Sequence, residues 1–152
     1  MTAAADLRRY AAWLWLLTVL FTFRVVAQPA ALVVDSSLLP PFESWHGGIL
    51  PYPALLATQL VILGWLVRTA WRFTSARVVP RTAIGRSAVA FGGVYFTVML
   101  VRLLLGATVL QHVRWFNSPL PSLFHLVLAA YLLLFGWFHL SGARSNVDKP
   151  LL

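Results

Sequence analysis

The stretch AAWLWLLTVLFTFRVVAQPAALV, residues 11–33, decides the fold class. As a helix it is long enough to cross a bilayer, because about 20 mostly apolar residues cover ~30 Å of hydrocarbon. It lacks the ~10-residue alternating pattern of a membrane β-strand, and in lipid only helices and closed barrels satisfy their own backbones. Three further stretches of this kind follow at about 52–72, 88–110 and 121–140. Of the 152 residues, 60% are apolar and 11% charged, which is too apolar for an ordinary soluble domain. The expectation is an all-α polytopic integral membrane protein. One four-helix transmembrane domain fills residues 1–152, with an outer loop at 34–51 and a basic inner loop at 73–87.

A formal charge of +8 raises nucleic acid as a partner, but the cations are not spread over a polar face. They gather at the ends of the apolar runs: Arg8 and Arg9, then Arg68, Arg72, Arg77, Arg81 and Arg86, then Arg144 and Lys149. The other side carries Asp35, Glu43 and Arg114. Basic residues are retained on the cytoplasmic side, so a multi-pass protein of the inner (plasma) membrane with both termini cytoplasmic is expected, and no nucleic-acid partner. The loop RFTSARVVPRTAIGR, residues 72–86, sets this topology and also has the charge to meet anionic head groups of membrane lipids. A rival reading treats Arg8, Arg9 and the apolar run up to Ala27 as a cleavable secretory signal. The apolar run continues to Val34, as a membrane anchor does.

The two halves share landmarks. Arg24, then Pro51-Tyr52-Pro53, then Gly64-Trp65 correspond in order to Arg102, Pro119-Leu120-Pro121 and Gly136-Trp137. They read as two parallel copies of one hairpin, related by an axis along the membrane normal; shared membrane composition is the competing explanation. Ala88, Gly92 and Gly93 offer a small-residue strip for close helix packing, with Ala54 and Ala57 in the same role on the second span. Trp13, Trp65, Trp71, Trp115 and Trp137 fall near the expected interfaces, where aromatic belts form. In the outer loop, Pro40 and Pro41 can start, and Gly47 or Gly48 can end, a short interfacial helix. With Glu43, Trp45 and His46 it would form a lid over the bundle.

Arg24 and Arg102 are the chemical anomaly. A charged residue at the centre of a span costs ~2.5 to 3.5 kcal/mol on insertion scales, so such groups usually face protein or water and have partners. Gln28 lies one helical turn from Arg24 and shares its face. Gln59 on the second span and His125 on the fourth stand at compatible depth. These five residues define a candidate outer-leaflet site for an anionic or lipid-like ligand, a carboxylate or a quinone. In the competing reading each arginine bonds helix-end carbonyls, glutamine or lid carboxylates.

No other chemistry is specified. The chain has no cysteine, which removes disulfides, thiolate metal sites and cysteine nucleophiles. Among His46, His112, His125 and His139 no helix carries a suitably spaced ligand pair, so haem b is a weak alternative and no cofactor or metal is expected. Glu43-Ser44-Trp45-His46 has one Glu-x-x-His spacing where a di-iron bundle needs two. Phosphate-binding loops, zinc-protease motifs and nucleophile elbows are missing, so nothing points to an enzyme. Three functions remain: an accessory or scaffold protein packing against a larger complex or itself, a transporter or binder using the Arg24/Arg102 site, and a haem- or quinone-associated anchor.

Overall fold

The computed structural model describes residues 3–33, 45, 51–113, 115, 116 and 118–147. Nearly all of them lie in four helices: α1 (Ala3–Val33), α2 (Tyr52–Thr74), α3 (Thr82–Ala107) and α4 (Pro119–Val147). Each is long and apolar enough to cross a membrane, and no strand occurs among the described residues. The chain is an all-α, four-helix, multi-pass membrane protein. An even number of spans puts both ends of the chain on one side, here termed the termini side; the other is the far side. Asp35, Glu43, His46 and Arg114, and with them the expected lid helix, lie outside the described residues.

The helices outrun the apolar stretches on the termini side. α1 begins at Ala3 rather than near residue 11, α3 at Thr82 rather than near 88, and α4 runs to Val147 rather than about 140. A helix keeps its internal hydrogen bonds in water as well as in lipid, and the flanking DLRRY and SGARSNV contain no proline to stop it. The basic loop therefore shortens to residues 75–81.

That loop opens with a defined helix stop. The N–H of Arg77 donates to the Arg72 carbonyl at 3.0 Å and that of Ala76 to the Phe73 carbonyl at 3.1 Å. Ala76 is left-handed, with φ 51°. This is the 6→1 and 5→2 pattern of a Schellman cap, with alanine where glycine is usual. At the other end of α2, Pro51 and Pro53 stand where missing N–H groups cost nothing.

α1, α2 and α4 build the core. The buried face of α1 is Ala11, Leu14, Thr18, Phe21, Val25 and Gln28, the alternating three- and four-residue spacing of a seam between nearly parallel helices. It meets Leu66, Ala70 and Phe73 of α2 and Tyr131 and Phe138 of α4. Lipid is as apolar as leucine, so packing and hydrogen bonds rather than water exclusion hold these helices together. Phe73 packs edge-on to Phe138 at 4.7 Å, Tyr10 does so at 5.2 Å, and Trp65 packs on Tyr131 and Phe135. The Tyr131 hydroxyl donates to the Leu66 carbonyl at 2.8 Å, and Trp15 Nε1 to Thr74 Oγ1 at 3.0 Å.

α3 stands outside this core and rests on α4. Among the described residues it does not pack against α2. The α3–α4 pair is close because glycines face the seam. An added Cβ at Gly92 would lie 3.1 Å from Leu132, one at Gly136 2.8 Å from Val89, and one at Gly85 2.9 Å from Leu140. The expected small-residue strip is thus placed at Gly85, Ala88 and Gly92, facing Gly136. Gly93 is open. Ala54 and Ala57 are exposed, because α2 turns Gln59, Leu66, Ala70 and Phe73 inward instead.

Candidate functional site

On the far side, α1 turns Arg24 and Gln28 inward, and α2 presents Gln59; all three are buried. Arg24 Nη2 donates to the backbone carbonyl of Trp45 at 3.2 Å, and its guanidinium lies 5.3 Å from the centre of the Phe124 ring. Trp45 is fully buried, edge-on to Phe23 and stacked on Phe124 at 6.1 Å. Beside it, Gln59 Nε2 donates to Gln28 Oε1 at 3.2 Å. Three polar atoms of the cluster are buried without a hydrogen-bond partner among the described residues: Arg24 Nη1, Gln28 Nε2 and Gln59 Oε1. Turning both amides over would exchange these atoms without adding a bond.

Arg102 sits in a second cluster, built on α3. Its Nε and Nη2 both donate to the Trp115 carbonyl, at 3.2 and 2.7 Å, and its guanidinium lies 4.3 Å from the centre of the same residue's ring. A planar guanidinium supplies such a fork where an ammonium cannot. The chain reaches this position by turning sharply after α3: Leu110, Val109 and Thr108 all donate to the Leu105 carbonyl. It then crosses Gly106, where a methyl group would overlap the Phe116 carbonyl oxygen. Two turns earlier on α3, Tyr95 is hydrogen-bonded to Nδ1 of His125 on α4, and their rings meet edge-on at 5.7 Å.

The expected five residues fall into two hydrogen-bonded clusters, with His125 within electrostatic reach of both Arg24 and Arg102. Arg24, Gln28 and Gln59 share one cluster, joined by Trp45 of the expected lid. Arg102 belongs to another cluster, while His125 is taken up by Tyr95 instead of the glutamines. Adjacent residues of α4 serve the two groups, Phe124 the first and His125 the second. The two arginines are treated alike: each donates to the backbone carbonyl of a tryptophan in the segment that follows its helix, Trp45 or Trp115.

Several participants carried no signal in the sequence. The acceptors of both arginines are backbone carbonyls, which every residue has. Tyr95 could have been suspected, standing two helical turns before Arg102 on one face, and Gly106 likewise, one turn beyond it. Of the other histidines, His112 is exposed and His139 lies at the termini end of α4, where its Nδ1 accepts the Arg81 backbone N–H at 3.0 Å. Among the described residues no three His, Asp or Glu side chains converge as a metal site would require.

No protein-family model, curated protein or solved structure matches this chain.

Proposed function

We propose that this protein is an accessory or scaffold protein of the inner membrane, with both termini cytoplasmic, that packs laterally against another transmembrane helix through α3. The observation that carries this is the outward face of α3. Ala83, Ser87, Ala90 and Thr97 are exposed there around the larger Val94, and beside them a Cβ at Gly93 would have nothing within 4 Å. Small residues on a membrane helix favour a helix neighbour over lipid, because they let backbones approach and widen van der Waals contact. α3 already uses that device on its other side, with Gly85 and Gly92 against α4. The intramembrane arginines fit the same reading, since each holds a far-side segment in place and leaves no surface charge in the apolar belt.

Gentle extraction followed by native mass measurement tests this. The expected result is a stoichiometric second chain, identical or different, bound to the protein. A protein that runs as a monomer carrying lipid alone, at every detergent concentration that keeps it folded, would contradict it.

A second reading, a binder of an anionic or lipid-like ligand on the far side, is favoured by Arg24 Nη1 and Gln28 Nε2. These are two buried donors in one cluster without acceptors among the described residues, and buried donors are rarely left unmet. Copurification of an anion that Arg24→Gln releases, with the fold intact, would select this reading over the first.

A further inference from the structure

We propose that the cleft between the termini-side ends of α2 and α3 binds the phosphate head group of an anionic phospholipid. α2 and α3 do not pack together among the described residues, and the end of α2, the loop 75–81, Ile84 of α3 and the α4 residues Phe135 and His139 enclose a cavity of about 250 Å³. Arg72, Arg77 and Arg81 line it together with His139, and Trp65 and Phe135 form its deeper, apolar part. None of the residues that line it is acidic. Three arginines therefore border one cavity with no acidic residue among its lining, and a guanidinium fork matches the oxygens of a phosphate or a carboxylate; of these, phosphate is the group that membrane lipids present at this depth.

The rim is held by backbone anchors rather than by the arginine side chains themselves. The Schellman cap ties the Arg77 N–H to the Arg72 carbonyl, which sets these two residues side by side. The Arg81 N–H donates to His139 Nδ1 at 3.0 Å, and Pro80 lies so close to Gly142 that an added Cβ there would come within 2.6 Å of its ring. With Nδ1 accepting, the imidazole carries its proton on Nε2 and remains a donor. The loop is pinned at both ends, so the backbone that carries the three arginines is set before any ligand arrives. Such pre-ordering lowers the entropy cost of binding.

The shape selects a lipid over a free anion. Trp65 lies two helical turns before Arg72, so the cavity runs from a cationic mouth to an aromatic wall along α2, polar at one end and apolar at the other. Its volume suits a head group and not a whole lipid, so the acyl chains continue out between α2 and α3, where the bundle is open. Basic pockets between membrane helices on the cytoplasmic side are suited to anionic head groups.

The test compares retention of phosphatidylglycerol and phosphatidylcholine by the full chain in native mass spectrometry. Phosphatidylglycerol should be retained in preference, and Arg77→Gln with Arg81→Gln should weaken its retention about fivefold for each arginine removed. Arg68→Gln with Arg86→Gln removes equal charge from the same side, outside the cavity, and should leave retention unchanged. Equal retention of the two lipids, or equal loss in both double variants, would overturn the proposal. So would displacement of the lipid by millimolar inorganic phosphate, which would indicate a free-anion site. On the unmodified protein, phosphatidylglycerol with a photoactivatable acyl chain should label peptides containing Trp65 and Phe135. Labelling spread evenly over the exposed faces of α2 and α3 would contradict it.

Discussion

Arg102 grips Trp115 in two ways, donating to its carbonyl through Nε and Nη2 and placing its guanidinium carbon over the indole, 4.3 Å from the ring centre. The helix and the segment that follows it are thereby closed on each other. Hydrogen bonds from a charged group contribute about 1.5 to 3 kcal/mol, and a ring contact of this kind about 0.5 to 2 kcal/mol. Arg102→Ala should thus destabilise the folded protein by about 2 to 4 kcal/mol in denaturation in mild detergent. Trp115→Ala keeps the carbonyl and loses only the ring, so its cost should be under half as large. Equal costs would mean that the carbonyl fork is not what holds this segment.

Gly106 is the space through which that closure passes. A methyl group there meets the Phe116 carbonyl oxygen, whereas one at Gly93 meets nothing within 4 Å. Gly106→Ala should cost about 1 to 3 kcal/mol, as overpacking does, and raise the protease sensitivity of residues 108–118. Gly93→Ala should be neutral or slightly stabilising to the isolated chain, because alanine is the better helix former by roughly 1 kcal/mol.

Gln28 and Gln59 form a buried amide pair between α1 and α2. Removing one partner strands the other, at about 1 to 3 kcal/mol, whereas removing both leaves no stranded group. Gln59→Leu alone should therefore be more destabilising than Gln28→Leu with Gln59→Leu. Strict additivity of the two single changes in a double-mutant cycle would show that the pair is not coupled.

Ala76 adopts a left-handed conformation at the end of α2, which costs an alanine roughly 1 to 2 kcal/mol relative to the right-handed region. Ala76→Gly removes that strain and should stabilise the protein by about 1 kcal/mol, seen as a higher midpoint of thermal unfolding. A lower midpoint would mean that glycine's extra freedom in the unfolded chain outweighs the relief.

The four spans were legible because runs of apolar residues this long have few alternatives in any solvent. That Arg24 and Arg102 fall within long apolar helices was also legible, from their position between the ends of their runs. Their partners were not, since a backbone carbonyl leaves no mark on a sequence. His125 is near both arginines, as expected, but its hydrogen-bond partner is Tyr95 rather than a glutamine. The packing role expected of Ala54 and Ala57 fails because both stand on the outward side of α2, away from Gln59, Leu66, Ala70 and Phe73. Gly85 and Gly136, which do make a close helix contact, are no more conspicuous in the sequence.

The central claim, that α3 presents its outward face to another protein helix, is tested most directly by a photo-crosslinking residue placed at Gly93 in native membranes. A second placement at Val61, an exposed residue of α2, serves as the lipid-facing comparison. The account predicts a protein adduct of defined mass from position 93 and only lipid adducts from position 61. Lipid adducts alone from both positions would contradict it.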